Sequence, residues 1–529
     1  MRGVMKEKRS VRSLNRSELP GGVQAVIFLG ASSVSMLVAE DKGGELRVLD
    51  VLSQPMALAE DIFRQGNVSR EMMERCVHII RGYNNLLDEY RQGADVQVRL
   101  LATNVLLNVH NMDSITNRLL TICGLQLEVM DDGEMTRLLY VSMQEMLRNH
   151  AELEKKRLLV VHVGPGNTRL LLFERGRITY YANYRMGAHR SAMAVGDTDL
   201  GNSGIESSLI REHIRGVVEQ ILHDSETALP DEPDAFVIFG PDFHHISSSV
   251  TEKGQMTLDE LAELVEDIAS TPKQQRCEKY QEDYASVGAL LPAAVTYLCL
   301  AREFEPRSIL MPREEYPFAF LRHLLPSQRD GQAMEQEVTH FATLLANRYK
   351  VDRGHSQQVR KLCLSLFDQL QDLHGLSRHD RMLLTVAAIL HEIGTFISPK
   401  NHHRHGQYII LNSEIFGLSR ADVEVVGLLA RYHRHGAPTI AEPTYALLNQ
   451  ADRLRVQKLA ALLRVAEAME RAHSRRIRSF TVRTNARRLE FLVPDVGDLT
   501  LENLALRTKG ALFSDIFGQD IVLLPAGNK

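Results

Sequence analysis

The 529-residue chain has five cysteines (Cys76, Cys123, Cys277, Cys299 and Cys363), scattered and never in a CxxC pair. Such a set excludes a disulfide framework and fits reduced thiols in a cytoplasmic protein. Long apolar runs are missing too. None approaches the roughly 18 residues that a membrane span needs, so no membrane partner is expected. The N-terminal stretch "MRGVMKEKRSVRSLNRSELPGG" is basic, but no apolar segment follows its charges before Gly21–Gly22. That excludes a secretory-signal pattern and leaves residues 1–22 as an expected flexible tail. Neither sign of charge dominates: 62 Lys and Arg stand against 67 Asp and Glu, for a net charge of −5. Composition therefore points to no particular partner. Low-complexity stretches are few, and 44% hydrophobic with 24% charged residues is ordinary for a globular protein. The length exceeds one core and, at about 100–200 residues per domain, predicts three or four.

What is present is a repeated order of elements. From Val23, "VQAVIFLGASSVSMLVAEDKGGELRVLDVLS" gives three apolar runs separated by small or polar turns, the pattern of a β-meander. Residues 69–93 start at a Ser N-cap and carry apolar residues at helical spacing up to Gly93, predicting an amphipathic helix. "VQVRLLATNVLL" and "LQLEVMDDGEMTRLLYVSMQEML" each read as a strand, a loop and a helix. At 160–173, "VVHVGPGNTRLLLF" repeats the strand, glycine turn and strand of residues 24–39, and "DAFVIFGPD" is a further strand ending at a glycine. Two similar α/β halves are expected, at 23–146 and 150–322, with 256–323 mainly helical. After "LLPSQRDGQ" the pattern becomes nearly continuous helix, rich in histidine, predicting an all-α domain over 333–475. Short alternating runs over 476–529 predict a small α/β cap.

The ordered segments "IFLGASSVSMLVA", "LLATNVLLNVHN", "LEVMDDGEMTRLLY", "LLVVHVGPGNTRLLLF", "YRMGAHR" and "LHEIG" with "HHRHGQYIILNSEIFGLS" and "RYHR" resemble the exopolyphosphatase/guanosine pentaphosphate phosphohydrolase family. The resemblance covers the chain from about Val23. It implies two actin-like ATPase halves followed by a helical HD-like domain. It also implies magnesium-dependent removal of a terminal phosphate from polyphosphate or guanosine pentaphosphate, and a homodimer paired through the C-terminal region. Phosphoryl transfer rests on positioning and charge neutralisation, so the family's site combines metal-holding carboxylates, a phosphate-binding Arg, glycine amides and a Glu that orients water.

Several of those positions differ here. The family's first Asp falls on Phe28, its phosphate-binding Arg on Leu107 and its general base on Met135, where a thioether can neither take a proton nor orient water. Adjacent Glu134 is the one rescue in reach, by a one-residue shift. In the second loop the Asp becomes His162, Pro165 removes a backbone donor, and the closing carboxylate becomes Arg169. Gly30, Ser32, Ser33, Gly164, Gly166, Asn167 and Thr168 keep a donor-rich surface for a phosphorylated ligand. Two readings follow: a binding protein with a degraded catalytic site, or an active phosphoanhydride hydrolase through Glu134.

The helical domain opens a third reading, a metal-dependent phosphohydrolase. HD-type enzymes gather metal ligands from separate helices. The matching residues are His355, His391 with Glu392, one of His402, His403 or His405, His433, and Glu467, with Glu standing for each Asp. Imidazole nitrogens suit manganese, iron or zinc rather than magnesium, which prefers oxygen; the alternative is a set of polar core groups and helix caps. Seven arginines (471, 475, 476, 478, 483, 487 and 488) lie between Arg471 and Arg488 with no acid among them. They read either as a solvated face or as a polyanion surface centred on Arg475, Arg476 and Arg478.

Overall fold

The computed structural model describes residues 22–42, 45–93, 95–150, 152–196, 203–226, 229, 232–241, 254–280, 284–311, 321–325, 331–434, 436–485 and 488–526. The expected tail lies outside them except for Gly22, as does Arg487 of the arginine run. The protein is a mixed α/β chain in two compact units: residues 1–131 with 138–329, and residues 132–137 with 330–529.

The first unit is built on two sheets. One contains β1 (Val23–Leu29), β2 (Ser33–Lys42), β3 (Glu45–Pro55), β4 (Val96–Ala102) and β5 (Leu127–Val129), in the order β3-β2-β1-β4-β5. The other contains β6 (Arg157–Val163), β7 (Thr168–Glu174), β8 (Arg177–Tyr184), β9 (Ala235–Phe239), β10 (Gln255–Met256) and β11 (Ile309–Leu310), in the order β10-β11-β9-β6-β7-β8. Read from β8, the second sheet repeats the first: an antiparallel meander whose opening strand pairs in parallel with a later one, β1 with β4 and β6 with β9. The repeat follows from sequence. Central strands such as β6 are buried from Leu158 to Val163 and apolar there except for His162, because both faces are covered, which is what parallel pairing in an α/β layer requires.

Helices supply those faces. The Ser69 hydroxyl accepts from the Met72 amide and starts the helix Arg70–Arg91, which buries Met73, Cys76, Ile80, Tyr83 and Leu87 in the core of the first sheet. The helix Tyr284–Phe304 fills the second core. Its stretch Ser286–Phe304, with mean hydropathy 1.3, is long and apolar enough to cross a membrane, contrary to the sequence expectation. Yet 78% of that stretch is buried in the fold, as a core helix requires. Tyr297 on this helix accepts from the Val163 amide and donates to the Phe239 carbonyl, both at 3.1 Å, tying the ends of β6 and β9. The mainly helical reading of 256–323 missed β10 and β11, which at two residues each are too short to show an alternating pattern.

The second unit is helical from Gly331 to Met469 and ends in a three-stranded sheet, β12 (Thr481–Asn485), β13 (Arg488–Val493) and β14 (Asp520–Pro525), in sequential order. Capping boxes at Ser377 with Asp380 and at Ser419 with Asp422 fix where the helices Arg378–Leu390 and Arg420–Tyr432 begin. Both helices run 13 residues and hand over at their C-terminal ends to a histidine.

Candidate functional sites

Each sheet of the first unit presents a tight turn at the same place. The Gly30 amide donates to the Ser33 carbonyl at 2.8 Å between β1 and β2, and the Gly164 amide to the Asn167 carbonyl at 2.9 Å between β6 and β7. Glycine is required by close approach: a Cβ at Gly166 would sit 3.1 Å from the Phe63 ring, and one at Gly187 would sit 2.5 Å from the Gly166 backbone. That closeness lets the helix Ala188–Val195 take up the loop's carbonyls. Ala188 donates its amide to Gly164 at 2.9 Å and Arg190 its amide to Pro165 at 3.0 Å, while Arg190 Nε donates to Gly166 at 3.1 Å. Gly30, Ser32, Ser33 and Asn167 stay partly exposed. Thr168 does not serve as a ligand group: it is fully buried and spends its hydroxyl proton on the Met186 carbonyl.

His162 and Arg169 face each other across the β6–β7 ladder and are both buried. Burial, with the Arg169 charge beside it, holds the His162 imidazole well below its ordinary pKa, so it stays neutral.

The second unit brings together side chains from separate helix ends. His391 follows the helix Arg378–Leu390 and donates from Nδ1 to the Ala388 carbonyl at 2.9 Å. His433 follows the helix Arg420–Tyr432 in the same way, to Ala430 at 2.7 Å. Each ring caps an orphan carbonyl of its own last turn. His402, at the start of the helix His402–Leu411, donates to Pro399 at 3.0 Å. Asp352 caps the helix Arg353–Gln369 by accepting from the amides of Gly354 and His355, which places His355 in the first turn. Gly394 closes the assembly, because a Cβ there would lie 1.9 Å from the His402 carbonyl oxygen. Nothing larger allows the turn after His391 to meet the start of the His402 helix.

The outcome is a buried row of imidazoles. His391 Nε2 lies 3.3 Å from His355 Nε2, His402 Nε2 lies 3.2 Å from His433 Nε2, and the His391 and His433 rings meet edge to face with centroids 5.2 Å apart. Among the described residues, His355, His391 and Glu392 form the one group of three such side chains whose ligand atoms all fall within 4.8 Å. The sequence left three candidates open near 402; the structure selects His402, which is buried, over His403 and His405.

The tautomers follow from these partners. A carbonyl can only accept, so His391, His402 and His433 each carry a proton on Nδ1, and the neutral His391 and His433 rings offer a lone pair from Nε2. Two lone pairs at 3.2 Å repel unless a proton or a metal ion lies between them. Burial, reinforced by His391, holds His433 well below its usual pKa and disfavours the proton; burial likewise takes His391 and His355 down to about 4. Nitrogens sharing one ion at the usual 2.0–2.1 Å are separated by roughly 2.9–3.4 Å, which the observed spacings match. An Nδ1–H anchored on a carbonyl is also the outer-sphere bond that metal-bound histidines use.

Glu467 is buried too, but it is in ion-pair contact with Lys509, at the end of the helix Thr500–Lys509. Sequence reasoning did not single out Lys509, because nothing local in "LALRTKGALF" distinguishes it. Burial, with Arg434 and Arg464 nearby, pulls its ammonium down to about 7, against the pull of Glu392.

Comparison with known proteins agrees with both units. The Ppx/GppA phosphatase family model matches residues 37–312, more than half the chain, and the model of Ppx/GppA phosphatase domain III matches residues 339–507. The chain belongs to the Ppx/GppA phosphatase family. A guanosine-5'-triphosphate,3'-diphosphate pyrophosphatase of Aeromonas hydrophila is 24% identical over 415 residues, 77% of this chain and 79% of the relative. The protein of that name from Vibrio vulnificus is 24% identical over 455 residues, covering 83% and 86%. A crystal structure of an exopolyphosphatase from Cytophaga hutchinsonii superposes on 57% of this chain and 97% of its own, with 13% identity and a TM-score of 0.49.

At Leu107 and Met135, where the family resemblance places charged groups, the side chains are apolar. Leu107 is 51% exposed, Met135 is buried, and Glu134 is exposed beside it on the helix Asp132–Asn149. The arginine run divides. Arg476 is committed to buried Glu502 through Nε at 3.0 Å and Nη2 at 2.5 Å, so its guanidinium is a structural clamp rather than a polyanion contact. Arg475 and Arg478 are exposed. Sequence could not show this, since Glu502 lies 26 residues away. Arg475 stands in the left-handed region, as does His473, whose ring stacks on His355 with centroids 4.0 Å apart. Strain of this kind collects at functional sites.

Proposed function

We propose that this Ppx/GppA-family protein is a phosphohydrolase whose working centre is the buried histidine cluster of the second unit, with the glycine turns of the first unit retained to bind a phosphorylated ligand without the family's chemistry. The observation that carries the reading is the His402–His433 pair, two Nε2 acceptors at 3.2 Å with both Nδ1 atoms already bonded. His355, His391, Glu392, His402, His433 and Glu467 would hold a divalent ion such as manganese, iron or zinc. Bound there, the ion supplies Lewis acidity and an ionised water at neutral pH. The protein's own part is to fix His391, His402 and His433 each by a backbone carbonyl and to exclude bulk water. In this reading the second unit is HD-like with a cap from about 476, the first unit is a pair of actin-like halves divided near 146–150, and the protein is a cytoplasmic homodimer. Its substrates are polyphosphate or a guanosine pentaphosphate of the kind named in its relatives.

Orthophosphate release from polyphosphate and guanosine pentaphosphate, with magnesium and then manganese, tests it together with metal analysis of protein made without a His-tag. Up to one transition metal per chain and manganese-dependent release support the histidine centre. Fast magnesium-dependent release, within about 1–1000 per second, that disappears in Glu134→Gln favours the family's site instead. That alternative draws on the exposure of Glu134 beside buried Met135.

A further inference from the structure

The histidine cluster contains a positive side chain that the ligand set does not explain. Lys509 is only 7% exposed, although nothing in its own helix requires a lysine. Two clamps hold it there: Arg476 fastens Glu502 in the first turn of the Thr500–Lys509 helix, and Arg464 Nη2 donates to the Thr508 carbonyl at 3.4 Å. The ammonium meets Glu467 and lies near enough to His391, His433 and Glu392 to act on each through space. Arg464, itself 5% exposed, satisfies carbonyls with both terminal nitrogens, and its buried Nε–H has no hydrogen-bond partner among the described residues.

Charge counting shows what this arrangement needs. Without a divalent ion, the Lys509 ammonium answers Glu467. With one, two further positive charges join Lys509, Arg464 and Arg434 against the carboxylates Glu392, Glu467 and Asp515, and the neutral His355, His391 and His433 add none. A buried positive excess is costly unless an anion enters with it. We propose that Lys509 is the substrate-positioning residue of the histidine centre: with Glu467 among the residues that would hold a divalent ion, the Lys509 ammonium, with Arg464 near it, would be left to receive an oxygen of a phosphoryl group. The inference rests on the metal reading above and names the ligand chemistry of that site, a phosphoryl oxyanion on the metal side of the cap.

The test uses the full-length protein with manganese and inorganic phosphate, both followed by calorimetry. The native protein should bind orthophosphate measurably only when loaded with manganese. Lys509→Met should bind manganese at least as tightly as the native protein, since a tethered competitor is gone, and orthophosphate at least tenfold more weakly. Lys509→Arg should stay within about threefold of native for phosphate, because charge and reach are kept. A merely structural lysine would not separate the two affinities in this way. If Lys509→Met does not fold, Lys509→Gln prepared in manganese gives the same comparison. Equal phosphate affinity in the native and manganese-loaded neutral variants overturns the assignment of Lys509. Absence of manganese binding in the native protein overturns the metal reading itself, and the inference falls with it.

Discussion

The glycine turns of the first unit and the histidine cluster of the second are the two places where the proposed reading puts a phosphorylated ligand, and they differ in what their sequence keeps. The turns keep their backbone: Gly30 and Gly164 close matching hydrogen bonds, and Gly187 still allows the Ala188 helix to dock. Phe28, Leu107, His162 and Arg169 stand where the resemblance places charged groups of the family's site. The cluster keeps its histidines, with Glu392 and Glu467 where the resemblance places Asp, and its backbone serves to aim them. Main-chain geometry is protected by packing whatever the chemistry, whereas a ligand set persists only if each group retains its own anchor. Here the anchors are backbone carbonyls, at a helix end for His391 and His433 and in the connection before the helix for His402, and each lies three residues before its histidine.

The strongest way to break this comparison is to remove ligands from one region and loop groups from the other. His391→Ala with Glu392→Ala should abolish transition-metal binding, an effect beyond the roughly 10–100-fold that outer partners alone command. His162→Ala in the first unit should leave metal content unchanged. If the two variants exchange these outcomes, the working centre lies in the first unit. Nearly as large should be the effect of Gly394→Ala, whose methyl would fall 1.9 Å from the His402 carbonyl. The turn must shift, costing ~3 kcal/mol of stability and opening the His391–His402 side of the cluster. A thermal melt of the metal-free protein reads the first effect and manganese titration the second; an unchanged melt means that the helices do not meet there.

Much of this was legible in the residues. The duplicated meander was visible because glycine follows an apolar run twice, at Leu29–Gly30 and Val163–Gly164, and the histidines that cluster were visible by order and spacing. What was hidden depended on contacts distant in sequence. Lys509 reaches a carboxylate 42 positions earlier, and Arg476 loses its availability to a glutamate on a later helix. Thr168 looked like a phosphate donor because its neighbours did, but strand alternation turns it inward to Met186. No spacing rule could have chosen His402 over His403, since that depends on which face of the helix meets Gly394.

The arginine run sharpens the comparison by a smaller amount. Arg475→Glu with Arg478→Glu should weaken polyphosphate retention and reduce its salt dependence by about one unit of slope for each arginine–phosphate pair removed. Arg476→Glu should instead lower the melting temperature, because it sets two carboxylates together at buried Glu502. Unchanged retention in the first variant returns Arg475 and Arg478 to an ordinary solvated face.

The smallest effect concerns the neutral histidine that stands in the glycine turn. His162 is buried, and burial together with Arg169 keeps its folded pKa well below 6.5, so the unfolded chain binds the extra proton first. Stability must then rise with pH wherever that difference exists: the contribution is complete above about pH 6.5 and is lost as pH falls from there toward the folded value. Between pH 7.5 and pH 5.5 one such group removes about 1.4 kcal/mol. His162→Asn keeps a polar side chain of similar reach and has no proton to gain, so its stability should fall less over that interval than the native protein's by about this amount, seen as a smaller drop in melting temperature. Equal falls would mean that His162 is protonated in the folded state beside Arg169. A protonated ring there would make the turn a site of two adjacent positive charges, and the contrast with the histidine cluster, neutral in its imidazoles and waiting for a cation, would no longer hold.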